Sequence, residues 1–422
     1  MRNIELTRLL TERISMTTPT APESSLYIFP SDLLDEGVNA VQERARTLGA
    51  CTLTVAMAYH QARDVTPHAG AKPRLRFRKD GVFFRPDESR WHSTPLRPRI
   101  QDQSELDAVQ GLLDSSDSDL RVEAWTVFLH NMSLGEDHPA LASRTCFGDP
   151  LLSNICPLNP DAAEYAIALA DDISSRGLDI VAEALSGQTF AHGHHHERSF
   201  APVGELAEAI LGLCFCSSCA AAAEARNVDV ERLAAAARDL VQDSYGGAAH
   251  APATREALGE ALGSDVIEHL TARESGVADL TARVADVVRA NGRRLSFMDL
   301  TGAVLGYGDG NPTGAPAAEQ AWRLAIDPAS AAHASDSYSI LGYANDPSRL
   351  EVDVASYRES IGDTPLRVIL RPGYPDSDSP EHLARKVEAC IDGGADQVDF
   401  YNYGMYDEHV LARIPYALNA SR

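Results

Sequence analysis

The chain has 422 residues, 44% of them hydrophobic, and a formal net charge of -24. That length suits one large barrel domain or two ordinary domains with a normal apolar core. The acidic balance argues against nucleic acid, because phosphate binding needs clustered Lys and Arg, and no stretch is long and apolar enough to cross a membrane.

Residues 1–22 alternate polar and apolar residues, never build a long apolar run, and are expected to be a flexible N-terminus without an export signal. A cytoplasmic protein is the expectation, with its seven cysteines as thiols. One domain is expected over 23–422, in which a helix-then-strand unit recurs. Asp35 should cap a helix running through Leu48, with Gly49 as its stop, and a strand follows at 51–57. Asn159 is a good N-cap with Pro160 at the first helical position, and Ala163, Ala166, Ile167, Ala170 and Ile173 form an apolar stripe at helical spacing. Gly177 stops that helix, and the strand 178–183 ends in Glu183. Ser379, Pro380 and Glu381 start another helix, Gly393 and Gly394 end it, and 397–401 is a strand.

The strand candidates are 26–29, 51–57, 122–127, 178–183, 294–299, 338–343, 366–370 and 397–401. Eight strands mostly separated by helical stretches fit an α/β fold of the (β/α)8 TIM-barrel type better than an open sheet. Two segments read as insertions, near 67–98 and 186–290. In the first, 74–84 alternates like a small hairpin above the second strand; in the second, the Ala-rich 220–289 predicts two or three helices outside the barrel.

Active residues of such barrels lie where strands end and βα loops begin. Those ends supply Tyr59, His60, Arg63 and Asp64; His130 and Asn131; Glu183 with His192, His194, His195 and His196; Asp299; Arg371 and Tyr374; and Tyr401, Asn402 and Tyr403. The set is polar and aromatic, which suits a sugar: hydroxyls need paired donors and acceptors, and ring faces stack on aromatics. Glu183 carries the most weight. Its apolar flanks should raise its pKa and keep a proton available for a leaving group. Its alternative is a salt bridge to an arginine such as Arg371. The loop 192–196 could bind a metal, but its spacing suits a solvated or substrate-contacting loop better. The glycines at 306–310 lack the lysine of a phosphate cradle and read as a flexible loop.

Cys214, Cys216 and Cys219 put three thiols within six residues. A fourth, from Cys156 or Cys146, would complete a tetrahedral thiolate site of the kind zinc takes when structural.

Cys156-Pro157-Leu158-Asn159-Pro160, then Glu183, then Cys214, Cys216 and Cys219 resemble, in that order, the zinc-bearing group of the retaining β-galactosidases. The segment 154–222 carries the resemblance, and the eight-strand plan agrees with it. More broadly the chain resembles glycoside-hydrolase-like barrel proteins of actinobacteria. The resemblance implies Cys156, Cys214, Cys216 and Cys219 as ligands of a structural Zn2+, and Glu183 as general acid/base. Related zinc galactosidases are often trimers, which leaves a homo-oligomer open. Two positions depart from the family. Ala182 stands where it has Asn, and Arg371 follows the seventh strand where its nucleophilic Glu is expected.

A glycoside hydrolase-like enzyme acting on a small carbohydrate is the leading expectation. Glu183 is its acid and Asp299 the candidate partner carboxylate, with Asp64 as another base for an inverting mechanism. His60, Arg63, Asp64, His130, Asn131, His194, His195, Arg371, Tyr374 and Tyr403 are the candidate substrate contacts. A non-catalytic sugar-binding barrel and a metal-assisted lyase or isomerase using the 192–196 loop are the competing readings.

Overall fold

In a computed structural model of the chain, residues 22–68, 74–115, 119–190, 203–245 and 252–420 are described. With strands numbered in chain order, the barrel is built from β1 (Ser25–Ile28), β2 (Thr52–Tyr59), β6 (Arg121–Val127), β9 (Asp179–Glu183), β10 (Leu295–Asp299), β11 (Ser337–Leu341), β12 (Leu366–Leu370) and β13 (Gln397–Phe400). All eight neighbouring pairs are parallel, and β1 pairs with both β2 and β13, so the sheet closes. The fold is a (β/α)8 TIM barrel, and its strands fall on the eight sequence candidates. Each strand is a short run buried on both faces, as a parallel barrel requires. No helix among the described residues is long and apolar enough to cross a membrane.

The barrel interior holds a buried polar layer. Arg367 of β12 donates to both Glu123 oxygens, at 3.0 and 2.5 Å, and its Nε donates to Asp399 at 3.0 Å. Thr54 donates to Glu123 at 2.6 Å, and the Ser25 amide and Gln397 donate to Asp399 at 2.8 and 2.7 Å. One network therefore ties β1, β2, β6, β12 and β13 together.

Several expectations change. Asp35 caps no helix. Pro30 opens a helix directly after β1, Pro30–Glu36, and Gly37 at φ +89° turns the chain into a second, Val38–Thr47. The hairpin pairs β4 (Arg74–Arg78) with β3 (Ala62–Thr66), not with residues near 84. Those residues have their own places: β5 (Gly81–Val82) lies antiparallel on β2, and Phe83 and Phe84 are buried. An extra ribbon, β7 (Ala142–Arg144) with β8 (Pro150–Ile155), delivers the chain to Cys156.

The 220–289 region holds more helix than expected. Among the described residues Ser217–Glu224, Val230–Ser244, Arg255–Leu262 and Ser264–Ala290 are helical. The last has 27 residues, about 40 Å at the usual rise. It touches the barrel helix Pro160–Ser174 and leads into β10, so it bridges insertion and barrel.

Candidate active site and metal centre

Strand alternation decides which side chains reach the barrel mouth. On β9 the residues in phase with Glu183 face the barrel axis, where the Trp125 indole donates to Glu183 Oε2 at 2.5 Å. The next residue, Ala184, sits at φ +53°, an unfavourable left-handed conformation for a residue with a Cβ. The chain thus turns sharply just beyond the carboxyl. Burial raises the Glu183 pKa, opposed by the charge of His60 and by the Trp125 hydrogen bond. Glu183 keeps part of its surface open, and its Oε1 has no hydrogen-bond partner among the described residues. No carboxylate is among the described groups acting on it.

Aromatic rings surround this carboxyl. Trp125 packs 4.8 Å from Tyr59, 5.4 Å from Tyr27 and 5.5 Å from Tyr401, centroid to centroid. The Tyr59 and Tyr401 hydroxyls meet at 3.5 Å, and the Tyr401–Asn402 peptide is cis. His60 stacks on Tyr59 at 4.3 Å and meets His130 edge-on at 4.5 Å. Its Nδ1 is engaged by the Gln61 carbonyl at 2.8 Å. Tyr307, after β10, and Tyr343, after β11, both pack on Arg371, their ring centroids 5.6 and 4.0 Å from its guanidinium carbon.

Other expected site residues have different work. Asp299 is on the opposite phase of β10 from Ser296, whose hydroxyl meets Ser339 inside the barrel at 2.7 Å. Its carboxylate turns to the helix layer and accepts from the Thr301 amide and hydroxyl at 2.8 and 2.5 Å. Tyr338 and Tyr357 donate to it at 2.7 and 3.0 Å. Fully buried and four times bonded, Asp299 has no lone pair directed at the mouth. Asp64 pairs with Arg78 at 2.5 Å, and the Arg78 guanidinium lies 3.5 Å over the Phe29 ring, so this pair fastens the hairpin to the barrel lip. Arg63 is exposed on the hairpin, opposite Phe77.

Asn131 caps the helix Met132–Asp137, accepting from the Leu134 amide at 2.8 Å. His130 is buried against Asn154. Tyr403 is buried, packs its ring 4.3 Å from His68 and donates to Glu36 at 2.8 Å. Tyr374 is 82% exposed. His192 to His196 lie outside the described residues.

Arg371 does not reach Glu183. It makes a bidentate pair with Asp376, at 2.9 and 2.5 Å, and donates to the carbonyls of Gly306 and Tyr307 at 3.0 and 2.9 Å. The Tyr343 ring lies 4.0 Å from its guanidinium carbon. Behind Asp376 sits Lys386, fully buried, its ammonium 3.8 Å away. Burial pushes the Lys386 pKa down to about 8, with Asp376 opposing. The partners that sequence reading missed, Trp125, Tyr343 and Tyr307, carry no spacing signal. Trp125 alone was accessible, as the β6 residue in phase with the inward set.

The four cysteines converge. The sulfurs of Cys156, Cys214, Cys216 and Cys219 all lie within 4.8 Å of one another and all four residues are buried. Cys156 is 3.6 Å from Cys219 and 3.5 Å from Cys216, far beyond a disulfide bond. A tetrahedral zinc with bonds of about 2.3 Å would separate sulfurs by about 3.8 Å. The cluster fits a metal ion without rebuilding. Cys146 stands apart, packed in the helical insertion's own core.

No family model and no curated protein sequence matches the chain. Solved structures do. A β-galactosidase from Marinomonas ef1 aligns with a TM-score of 0.53 at 13% identity, over 94% of this chain and 59% of its own. One from Bacillus circulans sp. alkalophilus gives 0.53 at 13%, over 94% and 55%. The α-L-fucosidase isoenzyme 2 of Paenibacillus thiaminolyticus gives 0.50 at 11%, over 95% and 49%. What is shared is the fold. These neighbours are glycoside hydrolases, and this chain spans 49 to 59% of their lengths.

Proposed function

We propose that the chain is a glycoside hydrolase-like enzyme acting on a small glycoside, with Glu183 as general acid/base. The observation that carries this reading is Glu183 itself. It is a carboxyl at the mouth with a raised pKa, one oxygen fixed by Trp125 and the other without a partner among the described residues. In the proposed step Glu183 gives its proton to the glycosidic oxygen as the bond to the anomeric carbon breaks, and the water that adds to that carbon passes a proton back to the Glu183 carboxylate. Tyr59, Tyr401, Tyr307, Tyr343 and His60 would hold the sugar. Asp299 takes no part, because its oxygens are already committed, and no glycosyl-enzyme is included. The cysteine cluster is read as a structural zinc site, since four protein thiolates leave no open position for substrate.

Replacement Glu183→Gln tests this on two aryl glycosides differing in leaving group. Turnover should fall by about 10²–10⁴-fold on the poorer leaving group and less on the activated one, with metal content unchanged. Equal rates for wild type and variant on both would reject Glu183 as the acid. The committed Arg371 pair at the usual nucleophile position favours one second reading, a barrel that binds a glycan without cleaving it. Saturable glycan binding with no turnover across a wide panel is the result that reading expects.

A further inference from the structure

Tyr307 and Tyr374 are 60% and 82% exposed, on the segments that follow β10 and β12. Such loops are usually mobile, and single exposed aromatics are ordinary. These two stand out in how firmly their backbones are held. Arg371 donates to the Tyr307 carbonyl at 2.9 Å and to the Gly306 carbonyl at 3.0 Å. The Tyr406 hydroxyl donates to the Tyr374 carbonyl at 3.0 Å. The Tyr406 ring packs on Gly373, where a Cβ would come within 2.7 Å of it.

The two segments also meet each other. The Asn345 amide donates to the Gly310 carbonyl at 2.6 Å, and its Nδ2 donates to the Pro375 carbonyl at 3.1 Å. Gly310 lies so close to Asp376 that a Cβ there would sit 2.8 Å from Oδ1. Tyr307 and Tyr374 therefore flank one junction. It adjoins the barrel mouth, because Arg371 shares the phase of Arg367, whose guanidinium reaches Glu123 inside the barrel.

Fixing a tyrosine costs conformational freedom, and burial returns little when the ring stays in water. Rings fixed in advance and left exposed suit a ligand with flat apolar faces, and sugar rings present such faces between their hydroxyls. We propose that Tyr307 and Tyr374 form an outer sugar-binding platform on the rim between β10 and β12, and that the ligand is an oligosaccharide. The platform takes a ring beyond the one that Glu183 serves. This inference rests on the glycoside reading above and adds a chain length to it.

The test is calorimetric binding of glucose, galactose and N-acetylglucosamine oligomers of one to four units to the full-length Glu183→Gln protein. In at least one series affinity should rise by about 10-fold or more from one unit to three. Adding Tyr374→Ala or Tyr307→Ala should remove most of that rise, whereas Tyr374→Phe and Tyr307→Phe, which keep the ring, should retain it. Affinity that does not grow with length in any series, or alanine variants that keep the full rise, overturns the platform. Wild-type protein that binds the oligomers with the expected rise and cleaves none of them supports the platform and sinks the hydrolase reading alone.

Discussion

Glu183 and Arg371 stand at the ends of barrel strands on different sides of the mouth, and their surroundings are opposite. Arg371 is neutralised by Asp376, bonded to two carbonyls and covered by Tyr343. Among the described residues Glu183 has one donor and an unpartnered oxygen, and its pKa is raised. A charged group whose capacity is used up holds architecture; one left with capacity and an unfavourable charge can exchange a proton. Position at a strand end does not separate the two. Asp299 makes the same point, since it too ends a strand and is as fully bonded as Arg371.

The largest effect should come from the four-cysteine cluster, proposed above as a metal site. Removing the metal with a chelator, or replacing Cys219 with Ser, should lower the Tm far more than any mouth substitution, because binding energy at a structural metal site is folding energy. Calorimetry with and without chelator checks this, and identical traces for a metal-bearing protein would show that the cluster clamps nothing. On the Arg371 side, Asp376→Asn leaves Arg371 and Lys386 buried without their anion. The expected loss is about 3–5 kcal/mol in denaturant unfolding, as for a broken buried pair. A loss below about 1 kcal/mol would mean that this side is less tightly held than the contacts imply.

The smallest effect has the opposite sign. A carboxyl whose pKa is raised on folding favours the protonated form, so stability is fullest below its unfolded pKa and is lost as pH rises through the folded value. Glu183→Gln removes that loss. The variant should melt slightly above wild type at neutral pH, with the gain disappearing near about pH 4. A variant less stable at neutral pH would place Glu183 with Arg371, among the scaffolding.

The barrel was legible because most strands are compact apolar runs that follow a helix stop, such as Gly177 before β9 and Gly393-Gly394 before β13. The convergence of the four cysteines was legible from spacing. Parity was not: Asp299 alternates with the inward Ser296 and Met298, so its carboxylate faces the helix layer. Arg63 and Asp64 lie on the hairpin strand Ala62–Thr66, whose sequence Ala-Arg-Asp-Val-Thr carries too few apolar residues to stand out from a loop. Tyr27, Tyr59 and Tyr401, which pack on the Trp125 beside Glu183, come from β1, β2 and the loop after β13, and only closure of the sheet brings them together.

The network inside the barrel has a consequence for how the chain matures. Glu123 depends on Arg367, 244 positions later, and Asp399 on the amide of Ser25, 374 positions earlier. No leading fragment can satisfy these groups, so a chain that stops before β12 carries an acid with nowhere to go. The closed interior therefore acts as a check on completeness: only a polypeptide whose last strands have arrived can seal its first.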